Sequence, residues 1–248
     1  PTSTAWRWCS PACATSATDR RDAVHPLDRP IWSSLSTAHE ALSRGDARAR
    51  RYLPDVNLFA SARDDSDEAL AALTALVGAG EQVYQLQVPA ITVPPGLVAV
   101  KQAWGVQMVA EQPLAEGKDE SDIAPLGDDD AAEMLALATL TQPGPFLART
   151  HRMGRFVGIR IAGRLAAMAG ERFRFPGWTE VSGVCTHPDF RGRGLAQRLS
   201  QHVAARIALR GDVAFLHAWR DNTSAIRLYE QLGFTWRTDV HVAVVARA

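Results

Sequence analysis

One short stretch limits what this chain can fold into more than any other. Between the apolar run "VSGVCT", Val181 to Thr186, and an amphipathic segment that begins at Leu195 lies "HPDFRGRG", His187 to Gly194. A strand that runs through such a turn directly into a helix leaves the first backbone N–H groups of that helix unpaired, at the positive end of its dipole. That arrangement is an anion cradle, and phosphate is the occupant it points to. Gly192 and Gly194 remove side chains that would keep an oxygen away, while Arg191 and Arg193 place positive charge at the rim. Other phosphate loops fit worse, because the third glycine of G-x-G-x-x-G would fall on Gln197 and there is no G-K-[ST]. An RGG-type RNA segment is disfavoured by the single short copy inside a patterned strand and helix.

The flanking pattern predicts the elements around the loop. Leu195, Leu199, Val203 and Ile207 recur every fourth residue, and Gly211 follows as a helix stop. A strand "VAFLHA" comes next, then the helix "DNTSAIRLYEQLGF", with Asn222 or Thr223 as cap and Ile226, Tyr229 and Leu232 on one face, and then the strand "HVAVVA". Upstream, "RFVGIRI", "LAAMAGERFRF" and "TEVSGVCT" are separated by the short turns "AGR" and "PGW", the signature of an antiparallel meander. Residues 123–248 therefore predict an α/β unit, a mixed sheet with helices packed on it. The acids of "GDDDAAE" precede an apolar helix, and Asp130 and Glu133 have the spacing of a capping box, a simpler reading than a metal cluster.

Residues 27–112 read as a smaller α+β unit. Ile31, Leu35, Ala38 and Leu42 have near-helical spacing before Gly45, and "SDEALAALTALVGAG" is a second helix with its acids at the N-terminal end. The strands "QVYQLQV" and "LVAVKQAWGVQMVAE" are joined through the turn residues Pro94 to Gly96. The polar stretch "PLAEGKDESD", residues 113–122, is the expected linker, and residues 1–26 are the expected loose tail. That tail lacks the apolar core of a signal peptide, and Asp19 and Asp22 argue against a transit peptide.

Charge and cysteine content narrow the function classes. Lys and Arg total 27 and Asp and Glu total 27, so no net field gathers polyanions, and a nucleic-acid partner is not expected. No apolar run approaches the roughly 20 residues of a membrane span, so no membrane partner is expected either. Cys9, Cys13 and Cys185 are odd in number and lack the second ligand pair of a zinc site, which implies a reduced, cytoplasmic setting and no metal.

The run "VCTHPDFRGRGLA", in which Arg191, Gly194 and Ala196 match R-x-x-G-x-[GA], is followed at the proper distance by "DNTSAIRLYEQLGF". Together they closely resemble the GNAT superfamily of acyl-CoA-dependent N-acyltransferases over residues 123–248, and residues 27–112 resemble, more weakly, the degenerate GNAT-like half that precedes the catalytic domain in some members. The resemblance implies acetyl-CoA as co-substrate, its pyrophosphate on the backbone N–H groups of Arg191, Gly192, Arg193, Gly194, Leu195 and Ala196. It implies that the pantetheine arm pairs like an added strand with Val184, Cys185 and Thr186; Asn222 resembles a cofactor-contacting residue and reads equally as a helix cap.

For chemistry, the resemblance implies direct transfer of acetyl to a primary amine, on a small molecule or a protein. Tyr229 resembles the family's general acid, its reference pKa of about 10 being close to a thiol's. Glu180 matches the carboxylate base of some members, and His217 stands where others place a glutamate. Cys185 with His187 offers a minority route through an acyl-cysteine, though a small Cys in an apolar strand is more often core. A CoA-binding module that senses or scaffolds without catalysis is the alternative reading of the same residues.

Overall fold

The computed structural model describes residues 25–115, 117 and 120–247. In chain order the elements are α1 (Pro30–Leu35), β1 (Ser43–Gly45), β2 (Ala49–Tyr52), β3 (Ala60–Ala62), α2 (Asp67–Ala75), β4 (Gln82–Gln87), β5 (Leu97–Val109) and β6 (Ile123–Leu126). They continue as α3 (Ala131–Thr141), β7 (Phe156–Ile161), β8 (Arg164–Phe175), β9 (Trp178–Thr186), α4 (Leu195–Leu209), β10 (Val213–Trp219), α5 (Thr223–Gln231) and β11 (Thr235–Arg247). Strands β1 to β3 form a small antiparallel sheet, and the other eight form one sheet in the order β4-β11-β5-β10-β9-β8-β7-β6. The meander and the mixed α/β sheet expected from the sequence are both present.

The sheet crosses the expected boundary at residues 113–122. Strand β5, from the first half of the chain, lies between β10 and β11 and is antiparallel to both. Its alternation explains the placement: Val106 and Met108 face one side and Val109 the other, all buried, so the strand needs cover on both faces. Part of the expected linker lies outside the described residues. Its remainder docks on α4, where Glu120 meets His202 at 2.7 Å and Gln201 donates to the Ala115 carbonyl at 3.1 Å. The expected tail lies outside the described residues except for His25 and Pro26, the latter opening a short 3-10 turn.

Each face of the sheet has its own core. Helices α4 and α5 supply Leu195, Leu199, Val203, Ile207 and Ile226 against Val106, Met108 and Leu216 on one face. On the other, Leu27, Ile31, Leu35, Tyr52 and Phe59 pack against Phe173, Phe215, Val240 and Val242. The first half of the chain thus completes a core it shares with β8, β10 and β11, as a segment with little core of its own must.

Two local expectations change. The helix expected to run to Leu42 stops at Leu35, because Ser36 Oγ and Thr37 Oγ1 bond the Trp32 and Ser33 carbonyls and compete with the helical ladder. The capping box expected between Asp130 and Glu133 does not form: Asp130 accepts from the Gly127 N–H, and both acids bind Arg160 at 2.6 Å.

The β9–β10 pairing positions the site. These strands run parallel, but only Trp178 to Glu180 pair with Val213 to Phe215, after which they part. Gly183, at φ +62°, sits in a bulge of β9 where the register against β8 shifts, and the bend turns the rest of β9 away from β10.

Phe173 joins the two halves through ring contacts with Phe59 at 5.1 Å and Tyr52 at 6.3 Å. We expect Phe173→Ala to cost about 3–5 kcal/mol. Denaturant unfolding followed by both fluorescence and circular dichroism should show one coincident, shifted transition, since the halves share this core.

Candidate active site

The loop after β9 has the geometry of an anion cradle. His187 caps a 3-10 turn at Pro188 to Phe190, accepting from the Asp189 N–H at 3.2 Å. Gly192 and Gly194 then adopt φ of +76° and +70°, a region other residues enter only with strain. A Cβ at either glycine would meet nothing within 4 Å, so the backbone angle and the open space beyond it, not protein packing, call for glycine. Gly194 is the N-cap of α4, whose first turn of N–H groups has no partner within the helix. Arg193 and Arg164 stack on Phe190 at 5.4 and 5.5 Å, which fixes the rim of the cradle.

A cavity of about 630 Å³ starts at this loop. It is bounded by Val184 to Thr186 on β9 and His217 to Trp219 on β10, where the two strands have parted, and by Asn222 to Tyr229 along α5. Beyond the gap it reaches Phe59, Tyr84, Leu86 and Val242. The α5 side belongs to one core and the Phe59 side to the other, so the cavity passes through the sheet.

A buried polar chain sits where it crosses. Glu180 has no exposed surface, and its carboxylate accepts from Arg172 Nε at 2.7 Å and Nη2 at 2.6 Å, and lies 2.6 Å from His217 Nδ1. Burial pushes the Glu180 carboxyl up, but the Arg172 guanidinium and His217 outweigh it and hold the pKa at about 2. His217 is shifted below its ordinary value, because burial outweighs the attraction of Glu180. Gln107 fixes the tautomer. Its Oε1 accepts from Arg237 at 2.7 Å, so its Nε2 is the donor that meets the Leu27 carbonyl at 2.8 Å and His217 Nε2 at 3.0 Å. His217 is therefore neutral, with the proton on Nδ1 facing Glu180 and the lone pair on Nε2. Arg237 in turn binds Asp28 at 2.7 Å.

The fold has counterparts of known kind. A solved structure described as an acetyltransferase from the GNAT family, from Novosphingobium aromaticivorans, is 43% identical, covering 91% of this chain and 100% of that one with a TM-score of 0.85. The chain belongs to the GNAT family of acetyltransferases. The model of the FR47-like protein family matches residues 156–242. A GCN5-related N-acetyltransferase from Kribbella flavida shares the fold at 18% identity, with a TM-score of 0.61 over 88% of this chain and 95% of that one. A mycothiol acetyltransferase from Thermobispora bispora is 44% identical over 63 residues, 25% of this chain and only 21% of that relative's length.

In this acetyltransferase the residues singled out from the sequence gather around one cavity, in different settings. Tyr229 lines it half-buried, its phenol pushed up to about 12 by burial and by the Glu180 charge. Asn222 also lines it, with its Oδ1 engaged by the Ala225 N–H at 3.1 Å and the Ser224 hydroxyl at 2.9 Å, so it caps α5. Cys185 packs among Met134, Leu137 and Phe156, and burial pushes its thiol up to about 11, the opposite of nucleophile activation. His187 turns to Arg164 at 3.0 Å and not to the thiol. Glu180 lies behind His217 with both oxygens engaged, so it meets the cavity through the imidazole.

Arg172, Gln107, Arg237 and the Gly183 bulge are absent from the sequence reading. Gln107 had a signal, a polar residue inside the apolar "WGVQMV". Arg172 reads as an outward position of "ERFRF", and only the register shift between Glu171 and Arg174 turns it inward.

The Arg191 N–H, expected in the cradle, instead donates to the Pro188 carbonyl at 3.3 Å, so the open amides begin at Gly192; with the edge of Val184 to Thr186 that β10 leaves unpaired and the cavity between them, they fit a CoA thioester. Among the described residues no three His, Cys, Asp or Glu side chains converge to hold a metal ion.

Glu180→Gln should leave Arg172 as an uncompensated buried charge and cost about 3–5 kcal/mol at neutral pH. The folded pKa is depressed from 4.5 to about 2, so the carboxylate stabilises the fold fully above the unfolded value and loses that effect as pH falls through the folded one. Urea midpoints measured against pH should thus show the gap between wild type and variant closing as pH drops from 4.5 toward 2.

Proposed function

We propose that this acetyltransferase carries an acetyl group from acetyl-CoA to a primary amine by direct attack, within a ternary complex. The observation that carries the reading is a single cavity joining the α4 cradle on one face to the Glu180–His217 pair on the other. The backbone from Gly192 to Ala196 holds the pyrophosphate, with the Arg191 side chain at its rim, and the free edge of Val184 to Thr186 receives the pantetheine arm as an added strand. Bound there, acetyl-CoA supplies the activated carbonyl.

The protein's own groups then handle two protons. We assign His217 Nε2 as the acceptor of the amine proton, the amine's N–H displacing the Gln107 contact, with the Glu180 carboxylate stabilising the imidazolium through Nδ1. Tyr229, protonated at neutral pH as any phenol is, donates to the departing sulfur. The N–C bond forms as the C–S bond breaks, and both side chains return to their starting states by exchange with solvent after release. Cys185, a buried thiol at about 11, takes no part.

Tyr229→Phe keeps the ring contact with Phe234, at 6.0 Å, and removes the proton. Thiol release from acetyl-CoA with an amine panel should show kcat reduced about 10²-fold or more with the affinity for acetyl-CoA little changed; equal turnover would make the ring a packing element only. If no amine in the panel releases thiol from the intact chain while CoA binds, the protein is a CoA-binding module.

Gly194→Glu tests the cradle. A side chain at φ +70° there meets open space, so the variant should fold at a strain of about 1–2 kcal/mol. Its carboxylate would face the pyrophosphate, and calorimetric titration should show CoA binding lost. Unchanged affinity in the folded variant would remove the phosphate assignment.

A further inference from the structure

The end of the cavity away from the cradle has a chemistry of its own. It is formed by Phe59, Tyr84, Leu86 and Val242, none of them charged. Leu86 and Val242 are cross-strand partners on β4 and β11, and the rings of Phe59 and Tyr84 meet edge to face at 5.8 Å. The Arg172 guanidinium lies 4.9 Å over the Phe59 ring, with its charge taken up by Glu180. Among the described residues that line the cavity there is no Asp or Glu, whereas Arg172, Arg191 and Arg193 are present.

From this we infer that the acceptor is a monoamine whose substituent is apolar, of aryl-alkyl or branched-alkyl size, and that polycationic amines are rejected. The inference rests on the acetyl-transfer reading above and names its acceptor class. The apolar walls gain from desolvating hydrocarbon and offer a hydroxyl or a second ammonium only the Tyr84 phenol and no charged partner. A second positive charge at this end would find no carboxylate among the described lining residues to meet it. The reacting amine has its polar counterpart at His217. Three of the four walls come from β4 and from the segment before α2 and the fourth, Val242, from β11, so the first half of the chain supplies most of the acceptor end while the second half binds the donor.

The test uses the full chain saturated with CoA and three probes: 2-phenylethylamine, ethanolamine and putrescine. Calorimetry should give 2-phenylethylamine a Kd at least about tenfold below that of ethanolamine, by the usual discrimination of an apolar pocket, with putrescine weakest. Thiol release with acetyl-CoA should rank the three in the same order of kcat/KM. Tyr84→Asp, at a half-buried wall position, should narrow or reverse the order by favouring putrescine. Equal or tighter binding of ethanolamine or putrescine by the wild type would overturn the inference, whatever the turnover. Selective binding of 2-phenylethylamine without turnover of any probe would uphold the apolar subsite and overturn the acetyl-transfer reading, so the two failures are distinct. An unaltered ranking in a folded Tyr84→Asp variant would also overturn the placement of the subsite.

Discussion

A carboxylate with no contact to solvent lies where β9 and β10 part, and much of the architecture exists to keep it there. An ionised group in that position would be prohibitive without an opposite charge and hydrogen bonds on both oxygens. Arg172 comes from β8, His217 from β10, and Gln107, which holds His217 in its tautomer, from β5. Three different strands must therefore be in register with β9 before Glu180 can be charged at no net loss. This requirement ties the first half of the chain to the second more firmly than apolar packing alone, because Gln107 is in turn oriented by Arg237 and by the Leu27 carbonyl.

The two sides of the sheet divide the labour accordingly. The side covered by α4 and α5 offers backbone amides and positive rim charge to a phosphorylated donor. The side covered by residues of α1, β2 and the Phe59 segment is apolar, interrupted only by the buried polar chain. A sheet that stays fully paired would separate these environments. The bulge at Gly183, tight against Phe156, opens the passage between them at the cost of a few ladder bonds.

How far the sequence reveals this depends on the range of the interaction. The cradle is local: strand, two glycines, helix and arginines fall within a few residues, so its chemistry can be read directly from "RGRG". The meander and the α4 and α5 stripes are local too, through their periodicities and short turns. Glu180, His217 and Tyr229 could be selected by resemblance, but their relation to one another could not, because Glu180 and His217 are brought together by strand pairing at a separation of 37 residues. Gln107 meets His217 from 110 residues away, and nothing in "VQM" names its partner. The division at residues 113–122 follows turn composition, which marks a surface connection equally well between two strands of one sheet. The capping box failed because Asp130 turns back to the Gly127 amide, Glu133 accepts from the Leu165 N–H, and Arg160, 30 residues from Asp130, binds both acids.

Strand β5 also governs the order in which the molecule can be built. It is made early, yet both of its neighbours, β10 and β11, belong to the last part of the chain, and the Arg237–Asp28 bond closes a span of 209 residues. During synthesis an apolar strand with two bare edges waits for about a hundred more residues, on the order of ten seconds at ordinary elongation rates. Throughout that interval it is a template for any other unpaired strand. That exposure of residues 97–109 ends once β10 and β11, joined through α5, pair with the strand from both sides.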